Sequence, residues 1–397
     1  MESARMLMIL VCKFLADYLI NPKTRICDMK IAPFTIEQYF ARYEFTTPYL
    51  LCASDCETIT VAELLALAGR DLTELGPLRL GYTESQGNLA FRTAVSRLYP
   101  AIHPDTIVEL GAPEEGIYLA MRALLEPGDH VIALTPAYDS LINLAEHISG
   151  HVSKWWLQAT PDGWQLDLAE LERLITPETR LIIVNFPHNP TGFLPTQAEF
   201  EAIMTLARQH NIWLFCDEMY RGLELQAEDQ LPSAAELYDR AVVLSGLSKT
   251  YGLPGLRTGW LIVQDSTLRE ELINWKHYTT ICPAAPSEFL ATAALSVANQ
   301  LRDRNRRLIQ QNLAAADAFF ARWPDLFIWR RPLAGSVALV ELKQISATEY
   351  CHHLAQTAGI LLLPSSCLGY GDSHVRLGVG RADFSANLDR YEQYLCR

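Results

Sequence analysis

Residues 241–257 read AVVLSGLSKTYGLPGLR. The stretch opens with an apolar run, Ala241 to Leu244, and then turns to small residues and hydroxyls around Lys249. A short apolar run that ends in turn residues is typical of a strand buried in a parallel sheet. The stretch therefore predicts a buried strand whose carboxyl end presents an amine.

Further apolar runs predict neighbouring strands of the same sheet. They are His130 to Leu134, Leu181 to Val184, Ile212 to Phe215 and Trp260 to Val263. Helical patterns separate several of these runs, among them 166–174 and 197–210. Strands that alternate with helices predict an α/β fold with a mostly parallel central sheet covered on both faces.

Polar and unusual residues cluster directly after these runs. The clusters lie at 136–138, 185–192, 217–220 and 245–249. In open α/β sheets the ligand crevice lies at the carboxyl ends of the strands. We therefore expect the four segments to meet at one site.

The chain changes character past about residue 290. A charged helical stretch at 302–322 is followed by short strands around 336–342 and 374–378. This change predicts a smaller α+β domain made from both chain ends. The expected parts are an extension that is dispensable (1–28), an N-terminal arm with part of the small domain (29–74), a large domain (75–288) and a C-terminal small domain (289–397).

Composition disfavours several classes of partner. The chain has 33 basic and 46 acidic residues, for a net charge of −13, which argues against nucleic acid or an anionic membrane. The apolar stretch 6–20 is too short and too interrupted by Lys13 and Asp17 to span a bilayer. The nine cysteines show neither a disulfide framework nor a zinc spacing. We expect a cytoplasmic protein with reduced thiols and no metal.

Lys249 and Arg257 suit two parts of one ligand. A lysine amine can form a Schiff base with an aldehyde, and an arginine eight positions later can bind a phosphate. The pattern thus favours a phosphorylated aldehyde as the ligand. A surface lysine after a strand is the alternative.

Asp217 ends the buried run 212–216, where an unpaired carboxylate would be costly. A protonated pyridine nitrogen would supply the cation that it needs. The alternative is that Asp217 caps the start of a following helix. Tyr220 lies three residues on and is placed to reach the same ligand, although a lone tyrosine is more often a core residue.

Other candidates have weaker individual signals. In NFPHNPTG, residues 185–192, two prolines fix the backbone so that Asn189 can donate to a ring oxygen. Gly111 and Ala112 precede a helix start whose free amides form an anion site. Tyr138 offers a flat face to an aromatic ring, and Arg376 suits a substrate carboxylate. Plain turn, packing and surface roles are the alternatives.

Taken together, these residues resemble the class I/II aminotransferases, which are pyridoxal-phosphate enzymes of fold type I. Asn189 to Gly192, Asp217 with Tyr220, and Ser248-Lys249 with Arg257 stand in that family's order and approximate spacing. The resemblance covers roughly residues 75–385. It implies a homodimer with shared sites that binds pyridoxal 5'-phosphate and transfers the amino group of an L-amino acid to a 2-oxo acid.

The resemblance also implies a role for each candidate. Lys249 forms the internal aldimine and acts as general base in quinonoid chemistry, with Asp217 and Tyr220 as further catalytic residues. The other implied contacts are Asp217 with the pyridine nitrogen, Asn189 and Tyr220 with the ring oxygen, Tyr138 stacked on the ring, Arg257, Ser248 and the amides of Gly111 and Ala112 with the phosphate, Tyr82 with the phosphate of the partner subunit, and Arg376 with Asn189 at the substrate.

Residues 31–70 also look loosely like the start of capreomycidine synthase, a family member that cyclises an arginine derivative. This likeness leaves open a cyclase, lyase or oxidase that acts on a basic amino acid. Around 278–286, where dicarboxylate-specific relatives place a second arginine, only Lys276 and His277 are near. Specificity for aspartate or glutamate is therefore unsupported. A ligand-sensing module built on this fold is a different class, which the acidic charge disfavours.

Two departures from the family pattern affect the phosphate site. Pro113 offers no amide hydrogen where relatives can offer one, and Gly246 stands where many relatives have a hydroxyl. We predict that the phosphate is held more weakly than is usual in the family. Loss of cofactor on dialysis measures this, and retention as tight as in standard relatives would contradict it.

Overall fold

The computed structural model describes residues 31–396. Residues 34–396 belong to one unit by their internal contacts, and the account below concerns that unit. The expected extension at 1–28 lies outside the described residues. No helix in 31–396 is long and apolar enough to cross a membrane.

Helices and strands alternate along much of the chain. The helices are α1 (Thr35–Tyr43), α2 (Val61–Leu67), α3 (Leu89–Ser96), α4 (Pro113–Leu124), α5 (Asp139–Ser149), α6 (Leu168–Leu174), α7 (Gln197–Gln209), α8 (Ala234–Leu237), α9 (Ser266–Lys276), α10 (Ala285–Ser296), α11 (Ala298–Arg322), α12 (Ala347–Ala358) and α13 (Phe384–Leu395). Short 3-10 helices lie at Leu72–Leu75, Pro104–Thr106, Ala227–Asp229, Pro254–Leu256 and Ser365–Leu368.

The strands form one large sheet and three smaller ones. They are β1 (Tyr49–Leu50), β2 (Ile107–Leu110), β3 (His130–Thr135), β4 (Val152–Trp156), β5 (Gln158–Thr160), β6 (Gly163–Gln165), β7 (Thr179–Asn185), β8 (Trp213–Asp217), β9 (Ala241–Gly246), β10 (Gly259–Val263), β11 (Phe327–Ile328), β12 (Val337–Leu342), β13 (Ile360–Leu361), β14 (Leu363–Pro364) and β15 (His374–Gly378).

The large sheet has seven strands in the order β2-β10-β9-β8-β7-β3-β4. Only β10 runs antiparallel, against β2 and β9. The expected α/β fold with a mostly parallel central sheet is confirmed. Since β7, β8 and β9 pair in parallel, their carboxyl ends lie side by side, with Asn185 opposite Asp217 and Asp217 opposite Leu244.

Apolar cores cover both faces of this sheet. Side chains alternate across a strand, so Ile182 and Val184 of β7 pack in one core while Leu181 and Ile183 pack in the other. A strand that is buried on both sides has no polar face, which explains the uninterrupted apolar runs of the sequence.

A third core forms around the four-stranded antiparallel sheet β11-β12-β15-β14. It combines residues from both parts of the chain, such as Ile36 and Tyr39 of α1 with Leu313 of α11. The pairing of Tyr49 in β1 with Ile360 in β13 joins the same two parts. The proposed domain boundaries near residues 75 and 288 stay a prediction.

Helix α1 is fixed at both its start and its middle. Asp139 Oδ2 accepts hydrogen bonds from the backbone N–H of Thr35 at 2.5 Å and of Ile36 at 3.2 Å. A carboxylate at a helix N-terminus satisfies free amides and complements the helix dipole. The Tyr39 hydroxyl donates to the Leu362 carbonyl at 2.8 Å. These contacts hold the helix beside the cavity described next.

Candidate active site

A cavity of about 440 Å³ lies at the carboxyl ends of β7, β8 and β9. It brings together eight of the candidate side chains, namely Tyr138, Asn189, Asp217, Tyr220, Ser248, Lys249, Arg257 and Arg376. A larger groove of about 780 Å³ between α3 and α10 contains none of them and is lined mainly by apolar and small residues. We therefore place the site in the smaller cavity, where the chemistry converges.

Lys249 presents its amine to this cavity. Its Nζ atom donates a hydrogen bond to Ser54 Oγ at 2.8 Å. Burial lowers the pKa of the amine below its ordinary value because the charged form loses water. A larger neutral fraction makes the amine a better nucleophile. Ser54 was not singled out from the sequence, since it is 195 positions away from its partner.

Asp217 ends β8 and is buried. Its Oδ1 atom accepts a hydrogen bond from the Met219 N–H at 3.0 Å. Burial raises the pKa of this carboxyl to about 7. The residues that follow form turns and not a helix, so the alternative role as a helix cap does not apply. A cationic ligand beside Asp217 would offset the cost of burying its charge.

Asn185 joins two of the candidates. Its Nδ2 donates to the Asp217 carbonyl at 2.8 Å, and its Oδ1 accepts from the Asn189 N–H at 2.7 Å. One buried amide thus fixes the spacing between the ends of β7 and β8. The sequence placed Asn185 inside the NFPHNPTG stretch but gave it no separate role.

Asn189 and Arg376 contact each other. Asn189 Oδ1 accepts a hydrogen bond from Arg376 Nη1 at 3.3 Å, which leaves the Asn189 NH₂ to donate elsewhere. Arg376 Nη2 donates to the Cys52 carbonyl at 3.0 Å, and its guanidinium lies 5.7 Å from the ring centroid of Phe40. Arg376 is 2% exposed, and its Nε has no partner among the described residues. These contacts leave its charge available for an anion.

Two buried hydroxyls in the cavity have no hydrogen-bond partner among residues 31–396. They belong to Tyr220 and Ser248. Buried polar atoms are rarely unsatisfied in proteins, so such atoms in a cavity indicate a ligand. Tyr138 differs, because its hydroxyl donates to Glu37 Oε1 at 3.0 Å and its ring packs edge-on against Phe34.

The start of α4 reaches the cavity through Pro113 and Glu114, whereas Gly111 and Ala112 do not line it. The Gly111 N–H donates to Glu115 Oε2 at 2.7 Å, so this amide is engaged within the chain. Arg257 lies at the cavity with a left-handed backbone, φ 49°. The phosphate roles expected for Gly111 and Ala112 stay predictions.

Pro113 and Gly246 pack against each other, so the residue type at one position limits the type at the other. A Cβ atom at Gly246 would lie 2.8 Å from Pro113 Cγ and 3.1 Å from the Thr258 carbonyl oxygen. The proline ring therefore fills the space that a side chain at 246 would occupy. The two departures noted in the sequence form one packing arrangement.

Two residues lie outside the cavity lining. Tyr82 is 91% exposed and does not line the cavity, so its expected contact with the phosphate of a partner subunit stays a prediction. Lys276 is fully buried, with Nζ donating to Thr280 Oγ1 at 2.7 Å and lying 3.6 Å from Glu115 Oε2. Lys276 is thus held in a network beside α4 and does not take the place of a substrate-binding arginine.

Comparison with known proteins places the chain in a family. Residues 49–390 match the family model described as aminotransferase class I and II. The chain belongs to that family. It is 28% identical over 354 residues to the capreomycidine synthase of Streptomyces vinaceus, covering 86% of this chain and 88% of that protein.

Solved structures agree with the family assignment. A PLP-dependent aminotransferase from Streptococcus suis superimposes with a TM-score of 0.87 at 30% identity, covering 93% of this chain and 98% of that one. The PLP-dependent cyclase OrfR gives a TM-score of 0.86 at 26% identity, covering 94% and 99%. The expected fold type I architecture is confirmed, and the cofactor of the enzyme is pyridoxal 5'-phosphate.

The cavity fits this cofactor. The buried carboxyl of Asp217 suits a protonated ring nitrogen, and the unpartnered hydroxyls of Tyr220 and Ser248 suit the ring oxygen and the phosphate. The Lys249 amine in the same cavity suits the aldehyde. Each polar part of the cofactor thus has a complementary group.

We predict that Gly246→Ser destabilises the protein by about 1–3 kcal/mol, because the new side chain overlaps the Pro113 ring. Adding Pro113→Ala should recover at least about 0.5 kcal/mol of that loss in a double-mutant cycle measured by urea unfolding. Gly255→Ser is the control, since a Cβ there meets nothing within 4 Å. Strictly additive effects of the two substitutions would contradict the prediction.

A second prediction concerns the pH dependence of the cofactor-free protein. The pKa of Asp217 rises from 3.8 to about 7 on folding, so its contribution to stability is full below the unfolded value and is lost as the pH rises through about 7. We expect the Tm of the cofactor-free protein to fall more between about pH 5 and about pH 7, inside the range that separates the unfolded and folded pKa values, than the Tm of Asp217→Asn. The exposed Asp229→Asn variant should behave like the unmodified protein. Equal slopes for all three would refute the assignment.

Proposed function

We propose that the protein is an aminotransferase that transfers the amino group of an L-amino acid to a 2-oxo acid. The observation that carries the proposal is one cavity with the Lys249 amine and a buried Arg376 that has no ion-pair partner in the described part of the chain. The two groups suit the two reacting ends of an α-amino acid: its amino-bearing carbon and its carboxylate.

The bound cofactor supplies an electron sink for the pair of electrons left when the α-proton departs. Lys249 would hold the cofactor through its aldehyde, and its amine, with a pKa lowered by burial, would accept the α-proton of the substrate and return it. Asp217 holds a proton at the ring nitrogen. Asn189 and Tyr220 donate to the ring oxygen, and Tyr138 packs against the ring.

The remaining candidates bind and orient. Ser248 and Arg257 hold the phosphate, with help from the start of α4 at Gly111 and Ala112. Arg376 binds the substrate carboxylate in a bidentate manner, and Asn189 sets the position of its guanidinium at 3.3 Å.

We also propose a homodimer with shared sites, in which Tyr82 reaches the phosphate bound by the partner. Support comes from large exposed apolar side chains at Leu80, Tyr82, Tyr278 and Ile281. A hydrogen bond from Thr83 Oγ1 to the Pro283 carbonyl at 2.8 Å brings these two segments together. Exposed apolar patches of this kind are typical of interfaces.

We place the protein in the cytoplasm. The seven cysteines in the described part of the chain are free thiols, as expected in a reducing compartment.

A second candidate function is a cyclase, lyase or oxidase that acts on a basic amino acid. The similarity to capreomycidine synthase and to the cyclase OrfR favours it. The two candidates differ in products. Keto acid with pyridoxamine phosphate supports transamination, whereas a cyclised amine or oxygen uptake supports the second.

We predict that the holoenzyme, mixed singly with each amino acid, shows a change in cofactor absorbance with a subset of them and forms the matching keto acid. Lys249→Ala should lower the rate by at least about a hundredfold, because proton transfer loses its base. The exposed Lys154→Ala variant is the control. The proposal would be contradicted if no amino acid changed the absorbance of the cofactor, or if Lys249→Ala turned over at the normal rate.

A further inference from the structure

The cavity wall contributed by residues 34–55 is acidic. Glu37, Glu44 and Asp55 line it together with Phe40. Across the whole described lining there are five carboxylates, the other two being Glu114 and Asp217, against three cations. The lining therefore holds two more carboxyl groups than cationic side chains.

The cations in the cavity have other partners in the proposed function. Lys249 serves the cofactor aldehyde, Arg257 the phosphate and Arg376 the substrate carboxylate. Asp55 is paired with Arg381 Nη2 at 2.9 Å. Glu37 and Glu44 have no ion-pair partner among residues 31–396.

Helix geometry directs these two carboxylates to the substrate side. Positions 37, 40 and 44 are spaced i, i+3 and i+7, so they share one face of α1 and its helical C-cap. Phe40, between them on that face, lies 5.7 Å from the guanidinium of Arg376. The face that packs beside the carboxylate-binding arginine thus carries a negative charge on either side of a phenyl ring.

Two further observations point to a ligand at this wall. Arg376 is 2% exposed and its Nε is unpartnered among the described residues, so it offers a buried cationic donor to an anion beside Phe40. The pKa of Glu44 is raised by burial and by the nearby Asp55 and Glu37 carboxylates, so like charges crowd there. A ligand with a carboxylate at one end and a cation at the other relieves both conditions.

We propose that the preferred substrate is an L-amino acid with a cationic side chain, a guanidinium or an ammonium, and that Glu44 and Glu37 recognise that cation. The inference rests on the proposed function, since it assumes that the amino acid binds with its carboxylate on Arg376. Glu37 also accepts a hydrogen bond from the Tyr138 hydroxyl. A substitution of Glu44 therefore tests recognition of the side-chain cation more directly than a substitution of Glu37.

The test compares isosteric substrates on the holoenzyme. L-arginine and L-citrulline have the same length and differ in side-chain charge, as do L-lysine and 6-hydroxy-L-norleucine. We expect the apparent Kd, read from cofactor absorbance, to be at least about tenfold lower for arginine than for citrulline, the size of a hydrogen bond to a charged group. KM should follow the same order.

In Glu44→Gln the preference for arginine over citrulline should fall to about threefold or less. The change should come from weaker binding of arginine, while the apparent Kd for citrulline stays nearly the same. Glu44→Asp should retain part of the preference, which loss of fold would not permit. The exposed Glu228→Gln variant should keep the full preference. If Glu44→Gln does not fold, as judged by its thermal melt, Glu37→Gln takes its place with the same expected loss.

The outcomes separate the two proposals. Equal binding of arginine and citrulline by the unmodified enzyme, or a preference that survives in both Glu44→Gln and Glu37→Gln, overturns the inference while leaving amino-acid chemistry intact. Absence of any spectral response to amino acids overturns the proposed function and this inference with it.

Discussion

The parallel pairing of β7, β8 and β9 is the constraint on which the site depends. It sets the ends of three strands side by side, so that Asn189, Asp217 and Lys249 enter one cavity from segments that are far apart in the chain. Asn185 locks the first two strand ends with one buried amide. Apolar cores on both faces make this register costly to shift, since a slip of one residue would turn every side chain to the other face.

The strand ends were predictable from the sequence because they follow a local pattern. An apolar run that stops at a polar residue marks both the strand and the place where its side chains leave the core, and this located Asp217 and Lys249. The partners of these residues were not predictable in the same way. Ser54 accepts a hydrogen bond from Lys249 across 195 positions, and Phe40 lies beside the Arg376 guanidinium because of how α1 packs. No local spacing in the sequence predicts either contact.

A comparison with the family pattern one position at a time also treats two residues that touch in the fold as independent departures. Pro113 and Gly246 read as two independent losses from the phosphate site, one of an amide and one of a hydroxyl. In the structure the proline ring occupies the volume above the glycine. Whether a residue type is unusual at a position is therefore a question about its neighbours in the fold, which only the tertiary structure answers.

The arrangement of α1 has a consequence for divergence within the fold. The groups proposed to face the cofactor lie mostly in segments that directly follow strands of the large sheet. The carboxylates of residues 37 and 44 belong to a nine-residue helix and its C-cap, which are attached at Asp139 and at Leu362 and add no strand to the large sheet. Under the proposed substrate preference, the residues that select the substrate and those that hold the cofactor lie in separate parts of the chain, so that exchange of one short segment would change the substrate and leave the cofactor site unaltered.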